Sequence, residues 1–404
     1  MKPESQSTAM RVVFNSSAKI NGTSLNKCLA KGPSLLNNML GILLRFRQNE
    51  FAFIGDISKM YHSIDIPYED QLTHLFLWRD LDQNVPPKTY AIAVVNMGDR
   101  PSAAIVQTAL RKSAEAAESI YPEASKVIIN NSYMDDIPGS TTDESKGKQV
   151  MNDAECLLDK RGFKIKGWTF SGQEWKKQKT TDQHAVQVLL NKNEDDDSDK
   201  VLGMGWNTET DKIIFSLKRM DFTKRETTKR ACLSTIYRIY DPLGLLAPVT
   251  VAAKIILRKV WAARPHIDWD DTLPNEVQQD WDSFRESLEH VPQLQFQRAV
   301  KPTGDTSPIL IILSDGSKQA YGAAAYVRWT TDNGYISKLL TAKSRIAPLK
   351  VIDTVRLELC GAVINSRLYS FIRKEMPELP FQTLLSVLSH PLTALNPLDQ
   401  CLAD

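Results

Sequence analysis

The sequence predicts an α+β chain with more than one domain, and three observations carry that expectation. Short apolar runs that read as strands alternate with amphipathic helical segments over roughly the first half. A mostly helical stretch follows, from "TKRACLSTIYRIY" to "FRESLEHV". Near residue 302 the texture changes again, to an apolar run, a turn and a second run in "SPILIILSDGSKQAYGAAAYVRW".

In chain order, "MRVVFN" carries a strand signal, and turns follow at Gly22 and at "KGP" (31–33). "LLNNMLGILLRFRQN" has helical spacing, and "FAFIGDI" (51–57) reads as a short buried strand ending near Asp56. "MGDRPSAAIVQTALRKSAEAAESIY" opens with Gly and Pro and runs into an Ala-rich amphipathic helix. "SKVIINNSYMDDIPGS" reads as strand, turn and return strand, and "NDAECLLDKRGF" as a helix. The acidic run "EDDDSD" reads as a solvated hairpin loop between two strand-like pieces. It lacks the Gly and closing Glu of an EF-hand loop. A boundary is expected near 225–245, where "YDPLGLLAP" interrupts the helical pattern twice. No internal repeat is visible.

At 404 residues the chain is long enough for two or three domains. Its 42% apolar and 24% charged content is ordinary for a globular protein. The net charge of +2 neither requires nor excludes a polyanionic partner, because basic groups can cluster locally. The five cysteines (28, 156, 232, 360 and 401) have no CxxC pair and no zinc spacing, a pattern of reduced thiols. No apolar run reaches the about 18 residues of a membrane span, and "MKPESQSTAM" lacks the apolar core of a signal peptide. The expectation is no membrane partner and a location in the cytoplasm or nucleus.

The chemistry is carried by "YMDD". Asp135 and Asp136 are adjacent, and a strand would send them to opposite faces. At a tight turn that alternation breaks and two carboxylates can converge. They would then repel each other unless a cation lay between them. On these four letters alone, a solvated turn is the plainer reading. For Asp56 alone, a strand-end cap is the plainer one. If the strands are neighbours, three carboxylates meet at one end of a sheet, a donor set suited to Mg²⁺. Two such ions about 3.5–4 Å apart can clamp the attacking and leaving oxygens of a phosphoryl transfer.

"RVVFNSSAKINGTSLNKCLAKGPSLLNNMLGILLRFR", "GDISKMYHSI", "NMGDRPSAA", "LGMGW", "IYDPLGLLAP" and "VRLELCGA" together resemble the Pol protein of BEL/Pao long-terminal-repeat retrotransposons. The resemblance runs in order from residue 10 to about 383. It implies a right-hand polymerase: fingers and palm over 1–215, truncated at the N-terminus, and a helical thumb or connection over 216–300. A partial RNase H-like domain over 301–383 and an aberrant tail over 384–404 complete the division. The implied activity is RNA-directed DNA polymerisation with Mg²⁺, or Mn²⁺ in its place. The implied partners are an RNA template, a DNA primer, RNA–DNA hybrid and dNTPs, together with other Pol and Gag products of the element.

By the same resemblance Asp56, Asp135 and Asp136 match the catalytic metal ligands. Arg11 matches a fingers arginine that holds the triphosphate, and Tyr61 an aromatic gate that selects deoxynucleotides. Met97 and Gly98 match the residues beside the nucleotide, where many retroviral enzymes carry Gln-Gly. Gly203, Met204, Gly205 and Trp206 match the primer grip. Taken without the resemblance, Tyr61 reads as a core aromatic, Arg11 as a surface arginine and "LGMGW" as a glycine-containing strand.

Asp315 in "LIILSDGS" and Glu358 in "VRLELCGA" match two acids of an RNase H site. The family's next strand ends in Asp-Ser, whereas this chain reads "LLSVLSHPLTALNPLDQCLAD". Asp399 and Asp404 are poor substitutes. RNase H activity is therefore expected to be absent and residues 384–404 irregular. Two other readings stand beside the polymerase: an inactive nucleic-acid-binding remnant, and an aspartic peptidase. The peptidase needs Asp-Thr/Ser-Gly, and the nearest runs are "SDGS" and "GDTS".

Overall fold

A computed structural model describes residues 14–172, 199–217, 228–263, 266–302, 308–332 and 334–387. The chain forms two compact units. The first comprises residues up to Ile42 and the span Ala52–Phe170. The second comprises Leu43–Phe51 and the chain from Asp197 onward, with a short piece at Ser171–Gln173.

In chain order up to residue 170 the helices are α1 (Leu25–Cys28), α2 (Met39–Phe46), α3 (Tyr68–Gln71), α4 (Ser102–Glu115), α5 (Pro122–Asn131) and α6 (Glu144–Asp159). The strands are β1 (Phe51–Ser58), β2 (Leu75–Trp78), β3 (Lys88–Ala91), β4 (Asp136–Thr141) and β5 (Lys164–Phe170). The main sheet of the first unit has the order β4-β1-β5, and β2 and β3 form a separate antiparallel ribbon. β1 is central, and Ala52, Phe53, Ile54, Gly55 and Ile57 are buried there in a nearly unbroken run. That is the pattern of a strand covered on both faces.

Two glycines let the sheet close. A Cβ at Gly139 would lie 2.5 Å from the Phe53 ring, and one at Gly55 would lie 2.7 Å from the Trp168 ring. Beneath the sheet, α4, α5 and α6 contribute Val106, Leu110, Ala124, Ile128, Ala154, Leu157 and Leu158 to one core with Ile57 and Ile137. Fully burying Leu110, Ile128 or Leu158 stabilises by about 1.5–3 kcal/mol each.

The segment before "YMDD" differs from the expected strand: residues 122–131 are the helix α5. Pro122 occupies its first turn with Glu123 beside it, and Ala124, Ser125, Ile128 and Asn131 are buried at helical spacing. The β-branched run "VII" hides this period. The expected helix before Met39 is also shorter than its apolar pattern, because "LLNN" lies outside α2. The strand signal "MRVV" and most of "EDDDSD" lie outside the described residues.

The second unit contains β6 (Asp199–Val201), β7 (Met204–Asn207), β8 (Lys212–Ile214) and β9 (Gln295–Gln297), a sheet in that order. Between β8 and β9 come α7 (Lys229–Arg238), α8 (Ala247–Ala262) and α9 (Asn275–Leu288). The break between α7 and α8 is built by Asp241, whose carboxylate accepts from the Leu245 and Leu246 amides at 3.0 and 2.7 Å. Gly244 has φ +72°, and a Cβ there would stand 1.9 Å from the Ala342 carbonyl oxygen. No other residue fits that position.

Arg298 is fully buried and forms a bidentate pair with Asp211 at 2.6 and 2.8 Å. It also donates to the carbonyls of Phe46 and Asn49. Arg47, equally buried, donates to the Leu339 and Leu340 carbonyls. Burial, then the neighbouring Arg298, lowers its pKa to about 9. Removing one partner of such a buried pair costs about 3–5 kcal/mol.

The last sheet has the order β12-β11-β10-β13, with β10 (Ile309–Gly316), β11 (Ala320–Thr331), β12 (Gly334–Ile346) and β13 (Gln382–Val387). β10, β11 and β12 are antiparallel, and β13 runs parallel to β10. Helix α10 (Thr354–Glu375) packs on it through Leu357, Gly361, Ile364, Leu368 and Ile372. The pairing of β13 runs to Ser314↔Val387, so residues 384–387 form a strand where irregular chain was expected. The β-prone run "TLLSV" satisfies its backbone on β10 whatever follows it. Residues 388–404, with Asp399 and Asp404, lie outside the described residues.

Candidate active site

"YMDD" is a tight turn. Tyr133 and Asp136 exchange backbone hydrogen bonds at 2.9 and 3.1 Å, and Met134 between them has φ +53°. A non-glycine residue in that region costs about 1–3 kcal/mol and persists only where its surroundings enforce it. The enforcement is visible. The Asp135 carbonyl accepts from the Ile57 amide at 2.8 Å, tying the turn to β1. The Asn37 side-chain amide donates to the carbonyls of Ile129 and Ser132 at 2.9 and 3.0 Å, closing the end of α5 just before the turn. Arg111 on α4 in turn donates to Asn37 Oδ1 at 2.8 Å.

Asp56 sits on β1 where its pairing with β5 slips: Asp56 faces Gly167 and Ile57 faces Ile165. The extra residue in that bulge is Lys166, whose Nζ lies 3.8 Å from Asp56 Oδ2. The Asp56 carboxyl is half exposed, and burial raises its pKa, with Lys166 opposing and Asp135 adding to the rise. Asp136, the first residue of β4, is pushed up to about 7 by burial first, then by Asp135 and Asp56. The turn and the bulge thus bring Asp56, Asp135 and Asp136 close enough for their charges to raise the proton affinity of Asp56 and Asp136, with Lys166 partly offsetting the charge at Asp56.

Tyr61 lies in a 3-10 turn (Met60–Ser63) just after β1. Its hydroxyl is 4.0 Å from Met134 Sδ. Burial, and then Asp135, raises its pKa. The chain continues from that turn into Ile64–Ile66, which hydrogen-bonds with Ala93 and Val95, and so leads to the turn carrying Met97 and Gly98. Met97 is 36% exposed and Gly98 has φ +104°. Arg11 lies outside the described residues.

The donor chemistry suits a hard divalent cation: three carboxylates, two of them raising the pKa of the third. Among the described residues, however, no three His, Cys, Asp or Glu side chains are already gathered as a metal cage. The Asp56 carboxylate leans on Lys166 instead.

"LGMGW" forms the β6–β7 hairpin. Leu202 and Gly203 make its two-residue turn, both with positive φ, which matches strand twist. Tyr240 braces it, donating from its hydroxyl to the Leu202 carbonyl at 2.9 Å. Met204 and Trp206 are buried, and the Trp206 indole donates to Asp211. Gly203 in the turn is exposed, while Gly205 packs closely against β8. A Cβ at Gly205 would lie 2.6 Å from the Ile214 carbonyl.

Residues 228–385 match the family described as the Pao retrotransposon-like RNaseH-like domain. Among solved structures the chain is similar to a foamy viral protease-reverse transcriptase dRH in complex with double-stranded DNA. The TM-score is 0.56 at 14% identity, over 97% of this chain and 60% of that one. It is also similar to the foamy viral protease-reverse transcriptase in complex with RNA/DNA hybrid. That TM-score is 0.52 at 15% identity, over 94% of this chain and 46% of that one. The chain thus spans 60% and 46% of the lengths of those proteins, and at these identities the likeness is one of fold. No curated protein matches it.

Within the matched region, Asp315 is the next-to-last residue of β10 and Glu358 lies on the first turns of α10. The two elements touch backbone to backbone. A Cβ at Gly316 would fall 2.4 Å from the Glu358 amide nitrogen, and one at Gly361 would fall 2.8 Å from the Asp315 carbonyl. The Asp315 carboxylate accepts from the Gly316 amide at 2.7 Å. The next residue after Val387, the last to pair with β10, is Leu388.

Sequence reasoning missed Lys166, Asn37 and Arg111. Lys166 had a signal, since "KIKGW" alternates like a strand. Asn37 and Arg111 had none, because they act by reaching segments roughly 75–95 positions away.

Proposed function

We propose that the chain is an RNA-directed DNA polymerase from the Pol region of a BEL/Pao-type retrotransposon. The observation that carries this reading is the placement of the Asp135–Asp136 turn against β1 through the Ile57 amide, with Asp56 on the same strand and Tyr61 over Met134. The fold likeness to reverse transcriptases and the Pao match over 228–385 support it.

In this reading Asp56, Asp135 and Asp136 would hold Mg²⁺, or Mn²⁺ in its place. The metal would supply charge neutralisation for attack of a primer 3′-hydroxyl on a dNTP. Tyr61 closes the floor beneath the sugar, where its ring would meet a 2′-hydroxyl. Met97 and Gly98 flank the nucleotide, and Arg11 binds the triphosphate. The hairpin of Gly203, Met204, Gly205 and Trp206 acts as primer grip through its turn backbone, because its larger side chains are buried. The domain division follows the same reading: fingers and palm over 1–215, thumb or connection over 216–300, and a partial RNase H-like domain over 301–383. RNA template, DNA primer and their hybrid are the partners. In this reading Asp315 and Glu358 are a vestigial acid pair.

The test is extension of a DNA primer on an RNA template with Mg²⁺ or Mn²⁺, with D135N as control. Extension lost in D135N supports the reading. Binding of hybrid without extension by the wild-type chain would establish the inactive nucleic-acid-binding remnant instead.

A further inference from the structure

The turn over residues 96–100 is held far more firmly than a surface connection needs. Asp99 is at its centre, with a side chain only 5% exposed. Its carboxylate accepts from the Ser16 hydroxyl, from Asn96 Nδ2 at 3.2 Å and from His74 Nε2 at 2.9 Å. A carboxylate only accepts, so His74 must carry a proton on Nε2. His74 Nδ1 lies 2.8 Å from Thr73 Oγ1 and 3.2 Å from the Asp70 carbonyl, which anchors the ring to the end of α3.

Asn26 clamps the same turn from outside. Its Nδ2 donates to the Gly98 carbonyl at 2.9 Å, and its Oδ1 accepts from the Arg100 amide at 2.7 Å. The Ser102 hydroxyl donates to the Asn96 carbonyl at 2.6 Å. Three separate stretches of chain (16–26, 70–74 and 96–102) therefore converge on five residues. What the clamp leaves exposed is the side chain of Met97 and Gly98, where a Cβ would lie 3.4 Å from the Phe14 carbonyl.

We infer that Asp99, supported by His74 and Asn26, is a positioning residue that sets how Met97 and Gly98 are presented to the incoming nucleotide. This rests on the polymerase reading above. A buried carboxylate with three donors keeps a turn in one geometry, since any other would strand a buried charge. Fixing the loop beforehand removes its ordering cost from the nucleotide-binding step. The clamp should therefore act on nucleotide affinity and leave the primer–template and the chemical step alone.

The experiment is single-nucleotide primer extension by the full chain, comparing wild type, D99A, D99N and N26A. Losing a hydrogen-bonded charged group from a preset loop should raise the KM for dNTP about tenfold in D99A, with kcat and the KM for primer–template unchanged within about twofold. D99N should recover most of the loss. Its amide oxygen still accepts, and its NH₂ can donate to His74 after a tautomer change. N26A removes an exposed side chain and leaves the buried pair intact, so it tests the clamp even if D99A fails to fold. It should raise the dNTP KM by a smaller factor. Wild-type extension with an unchanged dNTP KM in N26A and in a folded D99A, or with equal losses for both substrates, would overturn this inference alone. No extension by the wild-type chain would overturn it together with the polymerase reading.

Discussion

The Ile57 amide donates to the Asp135 carbonyl at 2.8 Å, tying the turn of "YMDD" to the strand that carries Asp56. The turn is strained at Met134 and cannot hold itself. Its support comes from β1 on one side and from Asn37 at the end of α5 on the other.

Replacing Asn37 with Ala should therefore lower global stability by about 3 kcal/mol, for three lost hydrogen bonds of about 1 kcal/mol each. It should also reduce primer extension more than it reduces hybrid binding. Urea unfolding midpoints and extension rates measured on the same preparation check both. A variant with wild-type stability and wild-type extension would show that the turn does not depend on this strut.

The Asp136 carboxyl gives a pH dependence with a definite sign. Its folded-state pKa of about 7 is above the ordinary 3.8, so between those values the folded chain binds more protons than the unfolded chain. Its contribution to stability is full at low pH and is lost as pH rises toward 7. In metal-free buffer, the Tm advantage of wild type over D136N should fall between pH 4 and pH 7. On the proposed reading Mg²⁺ should raise the wild-type Tm more at pH 8 than at pH 5, because the ionised carboxylates would be its ligands. A Tm difference that stays constant with pH would contradict this assignment.

Tyr61→Val should relax sugar discrimination while leaving metal-dependent stabilisation in place. The hydroxyl lies 4.0 Å from Met134 Sδ, and the residue sits in the 3-10 turn that follows β1. Incorporation ratios of dNTP to rNTP measure this directly. An unchanged ratio would reject the gate.

Affinity for primer–template should fall steeply with salt even though the net charge is only +2. Phosphate contacts release counterions, with a slope of about −0.9 per contact on duplex DNA, and an A-form hybrid is held largely by backbone and shape. Fluorescence anisotropy across a salt series is the measurement. A flat response would rule out phosphate-dominated binding.

The RNA strand of a labelled RNA–DNA hybrid should survive incubation with Mg²⁺ or Mn²⁺. Among the described residues Asp315 and Glu358 lie on touching elements, and two acids are too few to hold a metal pair at catalytic spacing. Metal-dependent cleavage that disappears in D315N would show a complete site.

The sequence alone was enough to locate β1, α4, α6, β10 and β11, because each buries one face or both and so carries its own period or an unbroken apolar run. It also marked Asp56, Asp135 and Asp136 as residues of interest. It misread α5 as a strand, since a β-branched "VII" looks the same in either element until Ala124 and Ile128 are known to be buried together. It expected irregular chain from 384, where pairing with β10 supplies a strand to 387. Only the tertiary structure decided what surrounds the carboxylates. The Lys166 bulge depends on strand register, the Asn37–Arg111 strut joins residues 74 positions apart, and the Asp99–His74 pair joins residues 25 apart. Local sequence patterns report how a segment meets water. They do not report which distant side chain will satisfy a buried carbonyl or carboxylate, because that choice is made when the core closes.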